Sequence, residues 1–298
     1  MRTRKLGPLE VTVVGLGCNN FGGRLDDEGT KAVVDAALDA GVTFFDTADV
    51  YGNQGGSEEI LGRVLHGRRD QVVLATKFGG DMGDGATRRG SRDYILRALD
   101  ASLQRLQTDV IDLYQHHRPD PDTPLEETIG TLDELVEQGT IRAYGTSNYE
   151  PANLERAKAI AGSGYVSEQS EYSWLTRDAE AELLPTCERI GLGFIPYFPL
   201  ASGLLTGKVS PDNPPAEGTR LHGRELSDRQ LDQVERLRTW AEAHGVSLLD
   251  VAIGGLLAVP PVVSVIAGAT KPDQVRANAA AGAWEPTRAE LDELLTAV

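Results

Sequence analysis

Hydrophobic and polar positions fall into two alternating patterns from end to end. Short apolar runs, mostly β-branched or aromatic, occupy 13–18, 43–48, 72–77, 110–117, 141–148, 165–172, 192–199 and 262–268. Their length and composition predict strands. Between them, apolar residues recur at three- and four-residue spacing over 27–40, 56–66, 91–107, 124–138, 151–161, 178–190, 227–258 and 272–282. These segments predict helices, with 227–258 long enough for two, and 287–296 reads as a terminal helix. Ser57, Ser91 and Asp178 stand where N-caps are expected, and Pro124 and Pro151 suit a first helical turn. Gly41, Gly67, Gly139 and Gly191 follow helices, where a C-terminal cap belongs.

Eight strand–helix alternations in 298 residues predict a (β/α)8 TIM barrel. No linker or change of composition divides the chain, so one domain over 1–298 is expected. Residues 5–11 read as a short hairpin capping the barrel floor. The stretch after the seventh strand, 200–225, is rich in Gly and Pro and long for a βα loop, which predicts a lid or binding loop. The rival architecture is a doubly wound sheet. Gly15-Leu16-Gly17-Cys18-Asn19-Asn20 follows a strand as a dinucleotide fingerprint does, but Asn20 stands where the third glycine belongs.

Composition narrows the function classes. A net charge of −16 argues against nucleic acid or an anionic membrane as partner. It also means that an anionic cofactor needs a local basic patch. The two cysteines, Cys18 and Cys187, lack the spacing of a disulfide framework or metal site. Residues 1–8 are basic but precede no apolar stretch, so no secretory leader is expected, and no run has the length of a membrane span. A cytoplasmic protein is the expectation.

Asp46, Tyr51, Lys77 and His117 lie at or just past the ends of predicted strands. Parallel strands closed into a barrel bring such ends together, and barrel active sites form there. A carboxylate, a phenol, an ammonium and an imidazole around one point suit proton donation to a carbonyl oxygen. The reference phenol pKa of about 10 is high for an acid at neutral pH, and a nearby ammonium lowers it. Lys77 is placed to do so, Asp46 to hold Lys77, His117 to orient the substrate oxygen, and Tyr51 to deliver the proton. Each residue alone has a plainer reading, as a loop cap, turn, solvated lysine or core histidine. The adjacent pair His116-His117 raises the thought of a metal, but neighbouring strand residues face opposite ways.

These residues occur in motifs that resemble the aldo-keto reductase family along nearly the whole chain. Asp46-Thr47-Ala48-Asp49-Val50-Tyr51-Gly52 is one, the strand-end Lys77 another, and Tyr114-Gln115-His116-His117-Arg118-Pro119-Asp120 a third, which favours His117 over His116. The resemblance implies a barrel fold and NAD(P)H-dependent carbonyl reduction, with roles for the four residues like those just argued. It also implies cofactor contacts: Ser147, Asn148 and Gln169 to the nicotinamide carboxamide, and Tyr197 stacked on the nicotinamide ring. The loop through Pro199, Leu200, Ala201, Gly203, Leu204 and Lys208 would fold over the pyrophosphate. Gly268, Thr270, Lys271, Gln274 and Asn278 would surround the adenosine 2′-phosphate and adenine. The chain departs from the family pattern at Gly268, where a basic residue is frequent, at Gln274, where arginine is common, and at Ala277, where glutamate is. Lys271 and Arg276 can compensate, so NADPH is the expected cofactor and NADH the alternative.

Asn20, Phe21, Val50 and Trp174 are the expected lining of a pocket for a small carbonyl substrate, whose identity and the protein's oligomeric state are not legible. Two other readings compete. One is a cofactor-binding regulatory or redox-sensing subunit on the same barrel, like family members attached to potassium channels; four filled catalytic positions favour the enzyme. The other is a barrel hydrolase using Asp46 and a histidine, which leaves Ser147, Asn148, Gln169 and Tyr197 without a joint purpose.

Overall fold

The computed structural model describes residues 1–210, 213–215, 217 and 219–297. The remaining residues, four of them in the 200–225 loop, fall outside the described residues. A two-stranded antiparallel hairpin, β1 (Thr3–Leu6) and β2 (Leu9–Thr12), comes first. Eight parallel strands follow: β3 (Val14–Gly17), β4 (Phe44–Asp46), β5 (Val73–Phe78), β6 (Ile111–His116), β7 (Ile141–Ser147), β8 (Tyr165–Glu171), β9 (Gly193–Tyr197) and β10 (Val265–Gly268). They pair in chain order with β10 beside β3. The ring closes between β9 and the segment leading into β10, where Phe194 accepts from Val263 N–H (2.9 Å) and donates to the Pro261 carbonyl (3.1 Å). This is a (β/α)8 TIM barrel.

The helices are α1 (Asp27–Asp39), α2 (Tyr51–Val64), α3 (Arg92–Leu106), α4 (Leu125–Glu137), α5 (Pro151–Ile160), α6 (Leu183–Ile190), α7 (Asp228–Ala243), α8 (Leu248–Asp250), α9 (Pro272–Ala281) and α10 (Arg288–Ala297). Local chemistry sets their ends. Asp26 caps α1 by accepting from Gly29 N–H, with Asp27 and Glu28 favourably placed in the first turn. The 227–258 segment breaks in two because Ser227 and Ser247 each form a capping box, with Gln230 and Asp250. Gly191 ends α6 in the left-handed conformation (φ 72°), which costs glycine nothing sterically.

Two of the three expected caps are corrected, Ser57 and Asp178, while Ser91 is an N-cap without a capping bond. Ser57 lies inside α2, where its hydroxyl donates to the Cys18 carbonyl (2.9 Å) and bonds Thr47 Oγ1 (2.8 Å). Ser91 occupies the N-cap position but turns its hydroxyl back to the Arg88 carbonyl (2.7 Å). Asp178 opens a separate 3-10 turn, Asp178–Glu180, ahead of α6.

The hairpin plugs the floor of the barrel. Leu6, Leu9 and Val11 pack on Phe44, Ala75, Leu113, Ala143, Val166, Ile195 and Ile266, the inward residues of the lower strand layer. A larger core, including Val33, Val34, Leu61, Ile95, Leu132 and Leu154, lies between the sheet and its helices. Fully burying each such side chain contributes about 1.5–3 kcal/mol.

Candidate active site

Two residues beyond the apolar floor layer, the same strands turn polar. Phe44 is followed by Asp46, Ala75 by Lys77 and Leu113 by Gln115. Strand periodicity points these side chains into the same interior. Lys77 is fully buried, and its Nζ lies 2.5 Å from Asp46 Oδ2 and donates to the Thr47 carbonyl (2.9 Å). The other carboxylate oxygen of Asp46 accepts from Gln115 Nε2 (3.0 Å) and Gln169 Nε2 (2.9 Å). A buried ion pair is tolerated when its remaining valences are met in this way. Burial opposes the charge on Lys77, but Asp46 and Tyr51 beside it outweigh that and raise its pKa. The lysine is held protonated.

Tyr51 begins α2 directly above this pair. Lys77 Nζ stands 5.2 Å from the centroid of its ring. The four residues after it run in the left-handed region, with φ of 67°, 62°, 67° and 119° at Gly52, Asn53, Gln54 and Gly55. Glycine alone does this without cost; Asn53 and Gln54 each store roughly 1–2 kcal/mol of backbone strain. The turn returns the chain so that the regular part of α2 starts near residue 56, as the sequence pattern predicts. His117 follows the end of β6 with the inward parity of Gln115, and its ring meets that of Tyr51 edge-on at 5.9 Å. His116 faces the other way, stacked on Phe78 at 4.8 Å and bonded through Nδ1 to the Tyr149 hydroxyl (2.9 Å). The four strand-end residues therefore converge, and the choice between the two histidines follows from strand parity.

The electrostatics correct one expectation. Burial raises the pKa of Tyr51; Lys77 lowers it by its charge and a hydrogen bond, but the net direction is upward. The ammonium thus offsets part of the desolvation rather than making the phenol acidic outright. His117 is pushed down to about 3 by burial, with the charges of Lys77, Arg118 and His116 adding to the effect. It is a neutral imidazole at physiological pH, and its buried Nδ1 has no hydrogen-bond partner among the described residues.

A second group adjoins the first. Asn148, at the end of β7, is left-handed (φ 61°). Its Nδ2 donates to the His117 carbonyl (3.1 Å) and to Ser147 Oγ (3.0 Å), and its Oδ1 accepts from the Tyr197 hydroxyl (2.8 Å). Ser147 Oγ donates to the Gln169 carbonyl (2.7 Å). Ser147, Asn148, Gln169 and Tyr197 are thus one bonded cluster beside the Asp46–Lys77 pair. Gln169 has a further part unread in the sequence, as a direct ligand of Asp46. No described donor reaches its Oε1, and Asn148 Oδ1 keeps a second lone pair, so the cluster retains acceptors for an amide.

The loop after β9 holds Pro199 and Leu200 and then a 3-10 turn, Ala201–Thr206, in which Gly203 takes φ 112°. Leu204 is 3% exposed, so its side chain belongs to the core and only its backbone is available to a ligand. Lys208 is exposed. Gly268 ends β10 in the open: a Cβ there would approach nothing closer than 3.4 Å. Lys271 caps α9. Gln274 Oε1 accepts from Thr270 N–H (2.7 Å) and Oγ1 (3.2 Å), so it braces the entry to the helix, and Asn278 is buried in α9.

Arg220 was not singled out in the sequence. Its Nη2 donates to Asn19 Oδ1 (2.8 Å) and Asn20 Oδ1 (2.9 Å), and its guanidinium lies 5.9 Å from the Phe198 ring centroid. It ties the long loop to the loop after β3 across about two hundred residues, a separation no local pattern reveals. Among the described residues its side chain meets no carboxylate. A half-buried guanidinium bonded only to neutral amides retains its charge for an anion.

Three of the four expected pocket residues are corrected. Phe21 and Trp174 are 0% exposed, and the Trp174 indole N–H donates to the Val251 carbonyl (2.8 Å); both are core side chains. Asn20, 4% exposed, has its amide engaged by Ala269 and Arg220. Val50 and the His117 ring both lie close to Gly80, where a Cβ would meet each of them.

Comparison with known proteins agrees with this architecture. The family model described as "Aldo/keto reductase family" matches residues 13–296. The chain is 40% identical to a probable voltage-gated potassium channel subunit beta of Oryza sativa subsp. japonica, over 87% of this chain and 83% of that one. It is 35% identical to probable aldo-keto reductase 1 of Glycine max, over 99% and 88%. It is 34% identical to aldo-keto reductase YhdN of Bacillus subtilis, over 93% and 86%. A family match running almost from end to end, on the barrel the family is built from, means that this chain is an oxidoreductase of the aldo/keto reductase family.

Proposed function

We propose that the protein reduces the carbonyl of a small aldehyde or ketone to an alcohol with NAD(P)H, using Tyr51 as the proton donor. The observation that carries this reading is the Lys77 ammonium, bound to Asp46 at 2.5 Å and set 5.2 Å from the Tyr51 ring, with neutral His117 edge-on beside it. The nicotinamide supplies the hydride. Tyr51 holds its proton through the physiological range because burial raises its pKa, and it releases that proton to the developing alkoxide. Lys77 stabilises the phenolate left behind, and Asp46 keeps Lys77 charged and fixed. His117, neutral, donates one ring N–H to the substrate oxygen and aligns it with Tyr51.

The second cluster fits the cofactor. Ser147, Asn148 and Gln169 offer amide and hydroxyl partners to a carboxamide, and Tyr197 an aromatic face to a flat ring. Arg220, Lys208 and Lys271 supply the positive charge that phosphates require on a chain of net charge −16. Lys271 at the start of α9 favours NADPH, because a helix N-terminus beside a cation suits a 2′-phosphate.

Tyr51→Phe tests the reading. Its carbonyl reduction should fall by about 10²–10⁴-fold, while fluorescence titration with NADPH and NADH should give wild-type affinity. Turnover near the wild-type rate would remove Tyr51 as the acid. A second reading, a cofactor-binding channel subunit, draws on the name of the rice relative; the complete set Asp46, Tyr51, Lys77 and His117 favours the enzyme.

A further inference from the structure

Glu168 takes no part in the chemistry above. It precedes Gln169 on β8; Gln169 points inward to Asp46, so Glu168 points away from the barrel axis, the register shift between β7 and β8 having reset the parity after the inward Val166. It is 0% exposed, and among the described residues no cation is paired with it. Neutral donors surround it instead. Oε1 accepts from Tyr149 N–H (3.1 Å) and Ser170 Oγ (2.7 Å), and Oε2 from Thr146 Oγ1 (2.5 Å). Burying a carboxylate among neutral groups costs several kcal/mol unless its hydrogen bonds are good. Burial accordingly raises its pKa to about 7, against the pull of those donors.

Those bonds lie directly behind the Asn148 cluster. Asn148 is a non-glycine residue in the left-handed region, a conformation that persists only where neighbours over-determine it. On one side its own N–H is tied to the Gln169 carbonyl (3.1 Å). On the other, the next peptide N–H, that of Tyr149, is tied to Glu168. With both peptides held, the Asn148 amide is aimed inward at Tyr197 and the His117 carbonyl. The hold extends further, because the Tyr149 hydroxyl bonds His116 Nδ1, next to His117.

We propose that Glu168 is a positioning residue for the nicotinamide end of the cofactor: from behind β7 it fixes the 148–149 peptide in the turn that presents Asn148 to the mouth. This rests on the cofactor reading above. It assigns the site a residue that touches neither cofactor nor substrate.

The test measures dissociation constants of wild type, Glu168→Ala and Glu168→Gln for two ligands. One is NADPH. The other is 2′-phospho-ADP-ribose, the same molecule without its nicotinamide. Glu168→Ala should weaken NADPH at least tenfold and leave the fragment within twofold. Glu168→Gln should stay within threefold of wild type for both, because its amide oxygen still accepts the Tyr149 N–H. Should Glu168→Ala fail to fold, Glu168→Met, which fills the volume without an acceptor, carries the same comparison. Equal weakening of both ligands, or of neither, overturns the assignment. Wild-type protein that binds neither NADPH nor NADH defeats the cofactor reading itself, a distinct result.

Discussion

The two ends of the barrel are built from the same strands and obey opposite rules. At the floor, Phe44, Ala75, Leu113, Ile195 and Ile266 meet the hairpin residues Leu6, Leu9 and Val11 in a layer with no charged group. One strand repeat higher stand Asp46, Lys77, Gln115 and Tyr197. The floor is stabilised by area removed from water, and its side chains need only volume and shape. The upper layer carries a buried charge pair that survives because three side-chain donors, from Lys77, Gln115 and Gln169, converge on one carboxylate, and Lys77 donates again to the Thr47 carbonyl. A barrel can hold a strained, polar, chemically capable end because the other end is a plain apolar plug.

That contrast can be broken from either side. Lys77→Met should have the largest effect, because it strikes both stability and chemistry. It strands Asp46 as a buried unpaired carboxylate, costing about 3–5 kcal/mol of stability, and removes the ammonium beside Tyr51, lowering turnover by about 10²–10⁴-fold. Thermal melts and steady-state kinetics read the two losses. A variant as stable as wild type would mean that the pair is not coupled as the 2.5 Å contact implies. Leu113→Ala, at the floor, should cost about 2–5 kcal/mol in denaturant unfolding yet keep kcat within threefold at 25 °C. A selective loss of kcat there would dissolve the division between the two ends.

Glu168→Gln should give the smallest effect, visible only as a pH dependence. Burial raises the folded-state pKa of Glu168 from 4.5 to about 7. For such an acid the contribution to stability is fully present below its unfolded value and is lost as pH rises through the folded value. Wild type should therefore lose on the order of 2–3 kcal/mol more than Glu168→Gln between pH 4 and pH 8. Parallel stability curves for the two proteins would contradict a buried ionisable Glu168. Asp49, pushed up to about 7 chiefly by burial and then by Glu58, adds the same trend to both proteins and cancels in the comparison.

The barrel was legible because its signals are local. Each predicted strand matches an observed one to within a few residues, since period, length and bounding glycines all lie inside the segment. The charged residues of the site were legible for a related reason: strand ends are readable, and a barrel sends them all to one place. What escaped the sequence depends on distant partners. Gln115 and Gln169 become ligands of Asp46 only when β4, β6 and β8 close into a ring. Arg220 finds Asn19 and Asn20 from the far side of the chain. Phe21 and Trp174 look like pocket lining from their position after a strand, and only packing against remote elements, such as Val251 for Trp174, puts them in the core. The phenol was misjudged for the same reason. Its ammonium neighbour can be read from the motif, while the desolvation that outweighs it is a property of the whole surround.

The seam of the ring lies at one margin of the mouth. Strands β3 to β9 are joined side by side by ladders, with one register shift between β7 and β8, whereas among the described residues β9 and the approach to β10 share two backbone bonds around Phe194. Fewer shared bonds make this join the expected place of local opening, which faster amide hydrogen exchange at Phe194 and Val263 than along β5 and β6 would show. The Asp46, Lys77, His117 and Asn148 wall lies well inside the stitched arc, whereas the long loop after β9 and the start of α9 flank the join. Opening at this join would fall beside that loop and α9 and leave the Asp46–Lys77 pair on the fully paired arc.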